Sequence, residues 1–114
     1  MAHKNKLAID PVSTKDFSTI TAAYSAMDDN TPLSHSPSLL LVQNLTDITL
    51  MFSTDGTNDH FPLSSDSFIL LDLDKFVTDK QISFASGTAF SVKQVGGTAA
   101  TSGKVYITVF YPST

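Results

Sequence analysis

Four residues close together carry the side chains best suited to chemistry: Asp55, Asn58, Asp59 and His60 place three oxygen ligands and an imidazole within six positions. Oxygen-rich loops of this kind hold calcium or another hard cation. The alternating acidic positions and distal Glu of an EF-hand loop are absent, so that particular cage is excluded. The same residues have a simpler use. Asp55-Gly56 is the strongest turn signal in the chain, and Asp and Asn side chains stabilise hairpin turns by bonding their own backbone. On that reading His60 flanks a turn or faces an interface, and Asp55, Asn58 and Asp59 remain a candidate cation loop with no cofactor required.

Other combinations have a chemical and a structural use in the same way. Ser53, Asp55 and His60 supply the residue types of a hydrolytic triad, but no Gly-x-Ser-x-Gly elbow is there to present the serine. Asp72 and Asp74 would share a strand face as paired carboxylates, or else form a solvated strand end beside Lys75. Gly96-Gly97 lacks the Lys and following helix of a phosphate loop and reads as a hairpin tip. Asn44-Leu45-Thr46 fits a glycosylation sequon and equally a β-turn. Tyr106, Phe110 and Tyr111 suit stacking on sugars or bases, but an aromatic face on a terminal strand is more economically core or subunit interface. No catalytic residue is assigned, and the expectation is a protein that is not an enzyme.

Composition narrows the partners. All 11 acidic residues are Asp and all 7 basic residues are Lys, and the net charge is −4. Arg is the preferred residue for bidentate phosphate and base-edge recognition, so a nucleic-acid partner is not expected. The absence of Cys removes thiol catalysis, Cys-ligated metals and disulfides. The longest apolar runs are four residues, residues 39–42 and 68–71, against the ~20 needed for a spanning helix, so no membrane partner is expected. No apolar signal region follows the basic N-terminal residues, which suggests a protein used where it is made.

The elements that must position these residues are strands. Ser and Thr together number 29 of 114 residues, while Glu and Arg, both good helix formers, are missing. Strands are expected over residues 38–44, 48–54, 60–63, 67–73, 82–85, 89–95 and 104–111, with the first two joined as a hairpin and 38–44 buried on both faces. Pro62 assigns its strand to an edge or a bulge. Residues 74–81 form a charged connection. In the last strand Val105, Ile107 and Val109 point to the core, and Tyr106, Thr108 and Phe110 point away from it. Residues 17–27 fit a helical template at Phe17, Ile20, Tyr24 and Met27 but are rich in strand formers, and the strand is favoured. Residues 1–16 read as an extended N-terminal arm, free to dock on a partner. The fold class is all-β: a single antiparallel β-sandwich or jelly roll over residues 1–114, with seven to eight short strands.

The order of turn motifs carries a resemblance. Asn44 to Asp47, Ser53 to Thr57, Asp59-His60, Gly87-Thr88 and Gly103 to Tyr106 succeed one another in a pattern that resembles the small β-sandwich virion structural proteins of tailed bacteriophages. The resemblance covers roughly residues 38–112. It implies a structural component of the particle, assembled in the host cytoplasm: a neck or tail-ring subunit, an adaptor or a capsid-associated subunit. Its partners would be other virion proteins and copies of itself. Tyr106, Phe110, Tyr111 and His60 are then the candidate interface residues. The alternative is a carbohydrate-binding module that recognises a host surface glycan through exposed aromatics and the Asp55–Asp59 loop.

Overall fold

The computed structural model describes residues 6–73 and 84–112. Nine strands lie in them: β1 (Leu7–Ile9), β2 (Ser13–Asp16), β3 (Ser25–Ala26), β4 (Leu39–Asn44), β5 (Leu50–Ser53), β6 (Phe61–Leu63), β7 (Ser67–Asp72), β8 (Ser91–Gln94) and β9 (Lys104–Pro112). Every pairing is antiparallel. A five-stranded sheet places β1 and β2 in line along one side of β9, with β4 and then β7 on the other side. A four-stranded sheet runs β3-β8-β5-β6. The two sheets enclose one core, the β-sandwich expected from the strand spacing.

The core is the set of inward positions from both sheets. Leu40 and Val42 of β4, and Val105, Ile107 and Val109 of β9, meet Leu50 and Phe52 of β5 and Val92 of β8. Each such side chain contributes about 1.5–3 kcal/mol by leaving water. Phe90 packs edge-on against Phe84, and Phe52 stacks on Phe61, which closes the β5–β6 hairpin from inside. Pro62 sits in β6, an outer strand of its sheet, as its missing N–H requires.

Several expectations are corrected. Residues 38–44 and 48–54 do not form a hairpin: β4 lies between β9 and β7 in one sheet, and β5 lies between β8 and β6 in the other. The connection changes sheets because the Asn44 amide, at the end of β4, donates to Ile48 and to Leu63 and Ser64 at the end of β6 and just beyond it. Nor is β4 buried on both faces; it alternates, with Leu39, Leu41 and Gln43 only half-buried. Residues 17–27 are neither a helix nor one strand. The Asp16 carboxylate accepts from the Ser18 amide and hydroxyl and starts a single 3-10 turn, Phe17–Thr19, and only Ser25–Ala26 then pairs. Ile20 and Met27 turn into the core from this irregular segment. In the expected strand 82–85, Phe84 and Ala85 are not in a strand, and residues 82–83 lie outside the described residues, as does the expected connection 74–81.

The expected arm also differs. From Leu7 onward it pairs with the chain's own last strand, Ile9 opposite Phe110 and Ser13 opposite Ile107. Four steps along the arm match three along β9, so one extra residue is accommodated around Asp10-Pro11-Val12 as a bulge. The bulge shifts the alternation by one. Before it, Leu7 and Ile9 point outward; after it, Ser13 and Lys15 point inward. Lys15 is only 2% exposed, and its Nζ donates to the Ala26 carbonyl at 2.8 Å and to Asp28 Oδ1 at 3.2 Å. The adjacent loop completes the anchoring. Asp29 accepts from the Thr14 amide and hydroxyl, Asp28 from the Asp16 amide, and Asn30 donates to the Val12 carbonyl.

Candidate functional site

Asp55 spends its oxygens on its own turn. Oδ1 accepts from the amides of Thr57 at 2.8 Å and Asn58 at 2.9 Å and from the Ser53 hydroxyl at 2.9 Å; Oδ2 accepts from the Asn58 side chain at 2.7 Å. The Asn58 and Thr57 amides, then the Asn58 amide side chain and the Ser53 hydroxyl, hold the Asp55 carboxyl far below the usual carboxylate range. Gly56 supplies the positive φ of the turn, +77°. Asp59 turns elsewhere. Its Oδ1 accepts from the Tyr24 hydroxyl at 2.6 Å and pairs with Lys93 Nζ at 3.2 Å, while Lys93 also sits 4.6 Å from the Tyr24 ring centroid. Tyr24, Lys93 and the adjacent His60 hold Asp59 below its ordinary value, against a small effect of burial. Partial burial, then the Asp59 bond, pushes the Tyr24 phenol well up. The three candidate ligands thus serve two separate networks, and no group of three His, Cys, Asp or Glu suited to a metal occurs among the described residues.

His60 is committed to the same turn. Its Nδ1 accepts from the Thr54 amide at 3.0 Å, which places the neutral-form proton on Nε2, 4.0 Å from Asp55 Oδ2. Ser53 donates to Asp55 and receives the Asp55 and Gly56 amides, so the three side chains do not line up as nucleophile, base and orienter. The sequon residues are structural as well: Asn44 is fully buried, its Oδ1 accepting from the Thr46 amide and hydroxyl.

The expected interface residues separate into three places, two on the five-stranded sheet and one, that of His60, on the other. Tyr111 lies at its end, stacked face to face on His35 at 3.6 Å, and His35 Nδ1 lies 3.2 Å from both oxygens of Asp10. Tyr106 and Phe110 lie on the sheet's outer face, opposite the core. Directly opposed residues of an antiparallel pair share a face, so the register assembles that face in rows. One row is Ile9, Phe110, Leu39 and Asp72; the next is Thr108, Leu41 and Leu70; the third is Thr14, Tyr106, Gln43 and Phe68. Leu7 extends it beside Pro112. Phe68 is 63% exposed, Ile9 61%, Leu70 54% and Leu7 47%. Asp72 marks one corner of this surface, and Asp16 opposite Lys104 marks its far end; among the described residues no charged side chain interrupts it between them. His60 belongs to the other sheet's β5–β6 turn and is not part of it.

Tyr106 and Phe110 were legible from alternation in the last strand. Phe68, Leu70, Leu39 and Leu41 were not recognised as their neighbours, because that requires knowing that β7 and β9 flank β4. No family model, no curated protein and no solved structure matches this chain.

Proposed function

We propose that the protein is a non-enzymatic structural subunit that works by packing this outer face against a second copy of itself, as a building block of an assembled particle. The observation that carries the reading is the outer face of the five-stranded sheet, where Phe68, Leu70, Ile9 and Leu7 are exposed around half-buried Leu39, Leu41, Tyr106 and Phe110. Contiguous apolar patches of several hundred Å² on a small protein mark interaction surfaces. A patch whose described charges are confined to its corners offers little electrostatic selection against its own image, which suits a two-fold interface in which the same surface serves both copies. The resemblance to virion β-sandwich proteins of tailed phages supplies the kind of particle: a neck, tail-ring, adaptor or capsid-associated position.

Sedimentation analysis tests the packing. The protein is expected to self-associate, and Phe68→Ser combined with Leu70→Ser is expected to yield a folded monomer whose melting temperature, unlike the parent's, does not rise with protein concentration. A parent chain that stays monomeric at every accessible concentration sinks the reading. Locating the subunit in an image of the assembled phage tests the particle assignment separately.

A carbohydrate-binding reading has one observation in its favour. Asp59 and Lys93 line an open groove with Met51, Gln94, Val95 and Gly96. Glycan-array binding that is abolished by Asp59→Ala would favour it over packing.

A further inference from the structure

We propose that the pocket beneath the Asp10-Pro11-Val12 bulge is a binding site for a primary ammonium group that carries a short branched alkyl chain. The site lies on the core side of β9, away from the sheet's outer face, and is independent of the packing reading.

The bulge makes the pocket. Ala8 and Asp10 take the inward positions before it, and Ser13 and Lys15 take them after it. Pro11 and Val12 lie between, both exposed, and leave a gap over Ile107 and Val109 of β9. Leu33, Asn30 and Ser34 of the following loop close the far side of the gap, and a cavity of about 130 Å³ remains. Its floor is apolar, since Leu33, Ile107 and Val109 are all buried. Ser13 is buried there too, but its hydroxyl is committed to the Asp29 carbonyl at 2.7 Å. Water on such a floor finds few polar partners, whereas an alkyl group makes dispersion contacts with every wall. An apolar cavity of about 150 Å³ holds a benzene ring, so this one suits a chain of about five carbons.

The rim has the opposite chemistry. Asp10 is the one charged group among the described lining residues. Both of its oxygens lie 3.2 Å from His35 Nδ1, a single partner for a carboxylate with about four acceptor positions. Asn30 gives its amide nitrogen to the Val12 carbonyl, which leaves its Oδ1 to accept, and exposed Ser34 adds a hydroxyl. A carboxylate with two further oxygens around an apolar hole selects a cationic donor, and an ammonium group can direct one N–H to each. The order of the two parts is fixed as well: alkyl group at the floor, charge at the rim. A lysine side chain entering nitrogen first has the reverse order and is disfavoured. A free amine and the first residue of a peptide both present the right one.

Titration of the full chain with 3-methylbutan-1-amine, followed through the methyl signals in NMR spectra, tests the site. The signals of Leu33, Ile107 and Val109 are expected to shift together and to saturate with a dissociation constant on the order of 1 mM, within reach of so small a ligand. The alcohol of the same shape, 3-methylbutan-1-ol, is expected to bind about tenfold more weakly or worse. Asp10→Asn is expected to weaken the amine by about tenfold or more and to leave the alcohol unchanged, since persisting alcohol binding shows that the pocket is still formed. Should that variant disturb the fold, the amine-to-alcohol ratio in the unaltered chain carries the same test. L-Leucinamide is the same amine with a carboxamide on the carbon that bears the nitrogen. Binding equal to the amine's assigns the site to the first residue of a peptide, and clearly weaker binding assigns it to a free amine. An amine that binds no better than the alcohol, shifts confined to other residues, or the lack of any saturable binding overturns the site. None of these outcomes bears on the packing face, which the sedimentation test decides by itself.

Discussion

Gly103 lies so close under Leu45 that a β-carbon on it would come within 2.0 Å of the Leu45 carbonyl oxygen. The Leu45 amide in turn donates to the Lys104 carbonyl, so the start of β9 and the end of β4 are pressed together at this point. Gly103 also has φ of +94°. Gly103→Ala must both move backbone and adopt a strained conformation, and should lower stability by about 3 kcal/mol or more. Gly97→Ala is the control. Its φ is +74° but the space beside it is open, and the expected loss is only about 1 kcal/mol. Urea denaturation of the two variants separates close approach from backbone strain.

Asn44 is the second joint between the sheets. Its amide nitrogen serves the carbonyls of Ile48, Leu63 and Ser64, and its oxygen receives Thr46. Asn44→Ala would strand several buried groups at once, at about 2–4 kcal/mol. Asn44→Asp should be worse than Asn44→Ala, since it sets a carboxylate against three carbonyl oxygens. The order of the two melting temperatures checks this.

Lys15 tests whether the bulge has aimed a cation inward to good effect. Lys15→Met keeps the apolar stem and removes the bonds to Ala26 and Asp28, and about 1–3 kcal/mol should be lost. Adding Asp28→Asn should cost less in the Lys15→Met background than alone, a coupling that a double-mutant cycle reads directly.

Acid should unfold the protein through its turns. Burial works against the Asp28 carboxyl, but bonds from the Asp16 amide, Lys15 and Thr19 hold it below its ordinary 3.8. Asp47 is lowered by the Thr101 hydroxyl and amide, and Asp16 by Ser18. Asp55 and Asp59 are lowered as well. A depressed folded value means that the unfolded chain takes up protons first. The stabilisation is therefore complete above the unfolded value of 3.8 and drains away as pH falls below it. Melting temperature should be flat from neutrality to about pH 5 and then drop, and Asp47→Asn should shrink that drop.

The legible parts of the fold were those encoded within a few residues. Asp55-Gly56 announced the β5–β6 hairpin, Pro62 an outer strand, and the alternation of Val105, Ile107 and Val109 the inner face of β9. The misread parts needed long-range information. Leu45, Thr46 and Asp47 look like a tight hairpin connection, but the Asn44 side chain reaches across the core to residues some twenty positions away and sends the chain to the other sheet. Residues 1–16 read as an extended arm free to dock on a partner, because the pairing of residues 7–16 with β9 lies about a hundred positions distant. The turn motifs behind the family resemblance proved to have structural tasks here: Asn44 joins the sheets, Asp55 caps its turn and Gly103 permits close approach. The candidate surface was half visible, through Tyr106 and Phe110, and its other half waited on strand order.

The extra residue near Pro11 makes this edge of the sheet a phase boundary in the code that maps sequence to surface. Upstream of it odd-numbered positions write the exterior, and downstream even-numbered positions do. A one-residue deletion there would leave composition and strand propensity almost unchanged, yet it would rotate either Lys15 to solvent or Ile9 into the core. Substitutions on the two sides are thereby insulated from one another, so the outward-facing segment can drift to fit a changing neighbour while the anchored segment keeps its inward pattern.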